Sequence, residues 1–217
     1  MKNILIIIFT LSFLGASAQK NIYESEKFDD LSQDHSNLAI IPFLTNLELE
    51  DEISGEELKD LEKKEGYAVQ DALETYFSKR KKKKKFSVEF QNIKNTNAIL
   101  KQNGISYDNI DVYSVKELAQ ILEVDGIISG TLDLNVLLSK GVPTEFSLLD
   151  YINGDADYGR IGVKISDGKT GKLLWKYEKQ INKKSGKNTT DLIDLMMKLA
   201  SRKFPYDRER PRDRKKD

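Results

Sequence analysis

Hydrophobic periodicity changes kind repeatedly along this chain, and each change limits what a segment can become. Leu38, Ala39, Ile40, Ile41, Pro42 and Phe43 form a continuous apolar run. A strand covered on both faces reads this way, and Pro42, which cannot donate to a ladder, marks its end. Val69, Ala72, Leu73, Tyr76 and Phe77 then recur at i, i+3, i+4, i+7 and i+8, one face of a helix beginning near Glu56. Phe86, Val88 and Phe90 alternate with polar residues, as in a half-buried strand. A short helix follows, with Asn95 as its expected N-cap and Gly104 as its C′ residue.

Ser114 and Glu117 are spaced as a capping box and Tyr113 and Leu118 as a hydrophobic staple, so a helix starts there and turns Val115, Leu118, Ala119 and Leu122 inward. A strand over residues 126–138 begins apolar and then alternates through Leu132, Leu134 and Val136. Ile161, Val163 and Ile165, the turn Asp167-Gly168-Lys169-Thr170-Gly171, and Leu173, Trp175, Tyr177 and Ile181 read as a hairpin. A last helix starts at Thr189 or Thr190, buries Leu192, Leu195, Met196 and Leu199, and stops before Pro205. This order predicts a single domain of the α/β class (α+β mixed), a mixed sheet of about five strands with helices packed on it.

The ends read differently. Lys2, the apolar stretch at 4–14 and Ala16-Ser17-Ala18 have the anatomy of an export signal cleaved before Gln19. The stretch is well short of the roughly 20 residues that span a bilayer. Residues 19–36 are acidic, with isolated Ile22, Tyr23 and Phe28, and are expected to form a flexible leader. The folded domain is placed at 37–206, and residues 207–217 are read as a charged, disordered tail around Pro211.

Lys plus Arg and Asp plus Glu both number 35, so no global charge excess proposes a nucleic acid or a membrane. The chain has no cysteine, which removes disulfides, thiolate metal sites, thiol nucleophiles and a lipidated cysteine. His35, the one histidine, falls in the leader, where nothing would fix its tautomer, so neither a Ser-His-Asp enzyme nor a histidine ligand is expected. No catalytic residue, cofactor or resident metal is expected. The local candidates are three. Lys79, Arg80, Lys81, Lys82, Lys83, Lys84 and Lys85 form a basic run at the expected end of the first long helix. It is either a solvated face or a binder of anionic headgroups or another anionic envelope polymer. Nucleic acid is disfavoured because Tyr76, Phe77 and Phe86 sit at core positions rather than on a stacking platform. Asp155 and Asp157 follow Asn153 at alternate positions, but Tyr158 and Lys164 stand where a calcium loop needs glycine and glutamate. That leaves at most a weak, irregular cation site. Phe146, Leu148, Leu149 and Tyr151 lie in the insertion at 139–159, an apolar cluster too rich for a plain solvent loop, and are read as a partner-binding surface.

The run at 38–43 ending in Pro42-Phe43, the helix at 114–124 leading into Asp125-Gly126-Ile127-Ile128-Ser129-Gly130, and the return from Ile165 through Asp167-Gly168-Lys169-Thr170-Gly171 to Trp175 resemble, in that order, a family of exported envelope proteins. These are the proteins related to CsgG, the TolB amino-terminal domain and the LpoB-type activators of penicillin-binding proteins. The resemblance implies an anticodon-binding-like α/β fold used without catalysis as an accessory or assembly module. It implies a periplasmic location, peripheral to the outer membrane and tied to outer membrane biogenesis, with an envelope protein as partner and room for a homo-oligomer. Two departures stand out. The lipidated cysteine of several relatives is missing, and the 139–159 insertion, with Gly141, Pro143, Gly154 and several acids, lacks the alternation of a pore-forming membrane strand.

Overall fold

The computed structural model describes residues 22–49, 53–81, 86–135, 137, 158–181, 188–200 and 204–206. Within them the chain runs β1 (Ile22–Glu24), α1 (Phe28–Ser32), β2 (Asn37–Ile40), β3 (Leu44–Leu47), α2 (Gly55–Lys81), β4 (Glu89–Phe90), α3 (Ile93–Gln102), a 3-10 turn (Ile110–Val112), α4 (Val115–Leu122), β5 (Gly126–Leu134), β6 (Gly159–Asp167), β7 (Leu173–Ile181) and α5 (Thr189–Ala200). The mixed sheet with helices packed on it is as expected. Its strands number seven rather than about five, in the order β1-β7-β6-β5-β2-β4, with β3 also on β5.

The two added strands have separate origins. β2 and β3 are one parallel partner of β5 broken in the middle: Ile40 lies opposite Ile128 and Leu44 opposite Thr131, so three residues face two. An extra residue bends a strand locally. Here the bend comes at Ile41-Pro42-Phe43, where Pro42 can offer no ladder donor. It turns Phe43 into the core, where the side chain is fully buried. The ring packs against Gly130, where a Cβ would come within 2.1 Å of it, while α2 crosses so closely that a Cβ on Gly66 would fall 2.1 Å from the Phe43 carbonyl oxygen. The Phe43 amide donates to the Gly66 carbonyl at 3.3 Å, so helix and broken strand share a backbone hydrogen bond.

β1 comes from the segment expected to be a flexible leader, and this is a correction. Ile22, Tyr23 and Glu24 pair antiparallel with Tyr177, Lys176 and Trp175. Phe28 is buried against the Tyr206 ring, with centroids 5.3 Å apart. The isolated apolar residues are few, but each meets a partner from the far end of the chain.

α2 and α5 cover one face of the sheet, closing a core that contains Leu38, Leu73, Phe77, Leu132, Val163, Trp175, Met196 and Phe204. α3 and α4 cover part of the other face over Ala39, Ile41 and Ile127. The remaining part of that second face carries the polar alternates Ser129, Thr131, Asp133, Arg160, Lys164, Lys176 and Glu178, which are exposed or half-buried. The α4 capping box forms as read, with the Ser114 hydroxyl accepting from the Glu117 amide at 3.2 Å and the Glu117 carboxylate accepting from the Ser114 amide at 2.8 Å. α3 begins one turn earlier than expected, because Asn92 rather than Asn95 accepts from the amides of Lys94 and Asn95. α5 presents Ile193, Met197 and Ala200 inward with Leu192 and Met196, and leaves Leu199 58% exposed. β5 ends at Leu134. Among the described residues no helix is long and apolar enough to cross a membrane.

Truncating a fully buried aromatic ring typically costs about 3–5 kcal/mol. Phe43→Ala should fall in that range in urea unfolding, and Gly130→Ala should prevent folding, because its new Cβ would also lie 2.0 Å from the Gly162 carbonyl oxygen. A loss below about 1 kcal/mol for Phe43→Ala would mean the bend is filled some other way.

Candidate functional site

Register divides the molecule into two ends. At one end β2 and β5 begin, β6 finishes and β7 begins, so Asn37, Gly126, Asp167 and Leu173 are gathered there. At the other, β5 and β7 finish and β6 begins, with Leu134 opposite Gly159 and Gly159 opposite Ile181.

The first end holds the densest polar cluster, and its centre is a residue the sequence placed outside the fold. His35, expected to be unanchored, has its side chain only 5% exposed. Its Nε2 lies 2.9 Å from an Asp167 carboxylate oxygen and its Nδ1 lies 2.6 Å from the Tyr206 hydroxyl. The other Asp167 oxygen accepts from the Thr170 amide at 2.7 Å and from the Thr170 hydroxyl. Proton positions follow from chemistry. An ionised carboxylate only accepts, so Nε2–H donates to Asp167 and, in the neutral ring, Nδ1 accepts from Tyr206. Burial pushes the Tyr206 hydroxyl far above the ordinary phenol range, and the negative charges of Asp167 and Asp125 push it further, so it stays protonated and able to donate.

Asp125 supplies the second half of the cluster. One carboxylate oxygen accepts from the Ser36 amide at 2.8 Å, the Ser36 hydroxyl at 2.8 Å and the Asn37 amide at 2.9 Å. Burial pushes both carboxyls up. At Asp125 the bonds from the Ser36 and Asn37 amides and the Ser36 hydroxyl outweigh burial, and at Asp167 the bonds from Thr170 and His35 do so, so both titrate below the ordinary value of 3.8. A cleft of about 750 Å³ opens beside them, between α4, the 168–170 turn and the segment carrying Asp34 and His35. Lys116 and Lys169 also line it, with Asp30 and Glu123.

Both imidazole nitrogens are engaged and Tyr206 is fixed between Phe28 and His35, so the cluster ties three distant stretches of chain together as a clasp. Only the adjacency of Asp167 to a turn was visible in the sequence, because His35 and Tyr206 lie 132 and 39 residues from it. Gly168-Lys169-Thr170 is the β6–β7 turn, with Asp167 as its acceptor.

The basic run begins at the same end. Lys79 and Arg80 lie in the last turn of α2. Lys79, its side chain 60% exposed, is 3.7 Å from Asp194, a geometry worth little in water. The Arg80 guanidinium lies 5.7 Å from the centroids of both Tyr76 and Phe86. Lys81 ends the helix, and Lys82, Lys83, Lys84 and Lys85 lie outside the described residues.

At the other end Asn135 donates to the Tyr158 carbonyl at 3.0 Å and Tyr158 to the Ile181 carbonyl at 2.8 Å. The β5–β6 hairpin is thereby closed on both sides of its long connection. Phe146, Leu148, Leu149 and Tyr151, with Asp155 and Asp157, belong to that connection and lie outside the described residues. Among the described residues, no group of His, Asp and Glu is arranged to hold a metal ion.

The fold defines a class: a single mixed α/β domain, a mixed sheet with helices packed on it. No protein-family model matches the chain, and no curated protein matches it either. Among solved structures it aligns with the lipoprotein GNA1162 from Neisseria meningitidis at a TM-score of 0.48 and 15% identity, over 76% of this chain and 96% of that one. It aligns with the LpoB C-terminal domain from Salmonella enterica at a TM-score of 0.38 and 10% identity, over 71% and 92% of the two chains. For the LpoB C-terminal domain from Escherichia coli the values are 0.37, 10%, 68% and 83%.

Acid sensitivity follows from the two depressed carboxyls. A group whose folded-state pKa is lowered adds stability above its unfolded value, and that stability is lost as pH falls through the folded value. The melting temperature should therefore hold from pH 7 to pH 5 and drop below about pH 4. Asp167→Asn should melt lower at pH 7 and fall less steeply in acid. A variant whose acid profile is parallel to the wild type would remove Asp167 from the account.

Proposed function

We propose that this is an exported, non-enzymatic cell-envelope accessory or assembly protein that works by binding another protein. In this reading it acts in the periplasm, peripheral to the outer membrane, as the sequence resemblance to CsgG, TolB amino-terminal and LpoB-type proteins implies. The observation that carries the reading is the hairpin end. The chain leaves the sheet after Asn135 and returns at Tyr158, with both flanks held by backbone hydrogen bonds. Sequence from 136 to 157 is thereby tethered at one end of a rigid sheet, and it contains Phe146, Leu148, Leu149 and Tyr151. Binding residues concentrate on loops positioned by such scaffolds.

Two outcomes are expected. Protein recovered from the envelope fraction should begin at Gln19 by intact mass, whereas a cytosolic chain retaining its first eighteen residues would end the export reading. Leu148→Ser with Tyr151→Ser should abolish partner capture by native-envelope crosslinking without moving the melting temperature. Unchanged capture would clear those side chains of the role.

A second reading rests on the basic run. Lys79 projects from the end of α2 with most of its side chain in water, so the run from Lys79 to Lys85 starts at an exposed corner. Each cation near an anionic surface is worth on the order of 1 kcal/mol, less as salt rises. Sedimentation with phosphatidylglycerol vesicles should then be lost on replacing Lys82, Lys83, Lys84 and Lys85 by Ser. Equal sedimentation of both forms would rule the corner out.

A further inference from the structure

The first described segment is attached unlike the rest of the fold. Phe28 is its one buried hydrophobic residue, with Ile22 and Leu31 only partly buried against the core. β1 is three residues long and α1 five, the latter without a side-chain cap bond at its N-terminus, and a helix so short has no stability of its own. The segment also lines the 750 Å³ cleft, whose opposite wall is Lys116, Ala119 and Gln120 of α4 and Glu123 just past its end. Contact is therefore one-sided, along β7 and Tyr206. What closes it is polar: His35 to Asp167 and Tyr206, and Ser36 to Asp125. Ser36 and Asn37, both pinned to Asp125, stand where the segment joins β2.

We infer that residues 22–36 form a releasable strap, hinged at the Asp125-bound Ser36 and latched by the buried Asp167–His35–Tyr206 chain, which opens as a unit while the rest of the sheet stays folded. Opening frees the β7 edge, where the Leu174 carbonyl now accepts from the Ser25 amide and Lys176 lies opposite Tyr23. It also widens the cleft beside α4. The inference does not depend on export or on the identity of a partner.

Amide hydrogen exchange on the full chain at neutral pH tests it. Low-stability units exchange by local opening and the core only by global unfolding. Amides from Tyr23 to His35 should exchange together, at least about tenfold faster than the β5–β6 ladder from Ile127 to Leu132. Tyr206→Phe keeps the ring against Phe28 but removes the hydroxyl. A net hydrogen bond is worth roughly 1 kcal/mol, so the variant should speed strap exchange by about five- to tenfold and leave the ladder within twofold. Strap and ladder exchanging at one rate in the wild type would overturn the inference even if the variant failed to fold. So would a Tyr206→Phe variant that speeds both equally.

Discussion

The seating of Phe43 between the sheet and α2 is the contact on which the rest of the fold depends. Phe43 can enter only because Gly130 leaves the sheet flat beneath its ring and Gly66 lets the helix backbone reach its carbonyl. That crossing breaks one long parallel strand into β2 and β3, and both halves still pair with β5. β5 thus becomes the hub of the sheet, with β6 on its other side. Edge chemistry is adjusted to match: the Thr45 amide donates to the Tyr107 hydroxyl at 2.8 Å and the Leu47 amide to Glu62 at 3.1 Å. Side chains thereby satisfy β3 donors that a further strand would otherwise take. Desolvation raises the Tyr107 pKa above that of an ordinary phenol, so the hydroxyl keeps its proton and donates it to the Glu62 carbonyl at 3.3 Å.

From that hub the two ends acquire different characters. The clasp end draws four remote segments into one polar cluster: the residues before β2, Asp125 between α4 and β5, the β6–β7 turn and the stretch at 204–206. Its bonds are short, and those accepted by the Asp125 and Asp167 carboxylates are charge-assisted, the kind that hold chain segments in register. The hairpin end instead holds the flanks of a long connection and leaves its middle to other purposes.

What could be read in advance was local. The α4 capping box, the Asp167 turn, the α2 face and the β6–β7 hairpin are specified by residues within a few positions of one another, and all four stand as read. What could not be read depended on distance. Ile22, Tyr23 and Phe28 look stranded in an acidic stretch because their partners, Tyr177, Lys176 and Tyr206, come more than a hundred residues later. His35 looked unanchored for the same reason. β3 was hidden because a bend at Pro42 reads as a strand's end, and the pairing that continues past it belongs to β5. Leu199 was assigned to the core by hydrophobicity, but with Ile193, Met197 and Ala200 turned inward its position faces water. Of the sites proposed from sequence, Lys79 and Arg80 are placed at the end of α2, while the apolar cluster at 146–151 belongs to the connection beyond the described strands.

The account holds that the sheet is a self-sufficient frame and that recognition is delegated to the β5–β6 connection. The most direct measurement replaces residues 138–156 with a short Asn-Gly-containing link, and follows both melting temperature and photocrosslinked complexes in the native envelope. The account predicts an unchanged melting temperature together with complete loss of the complexes. Complexes that persist on the shortened chain, or a frame that no longer folds, would contradict it.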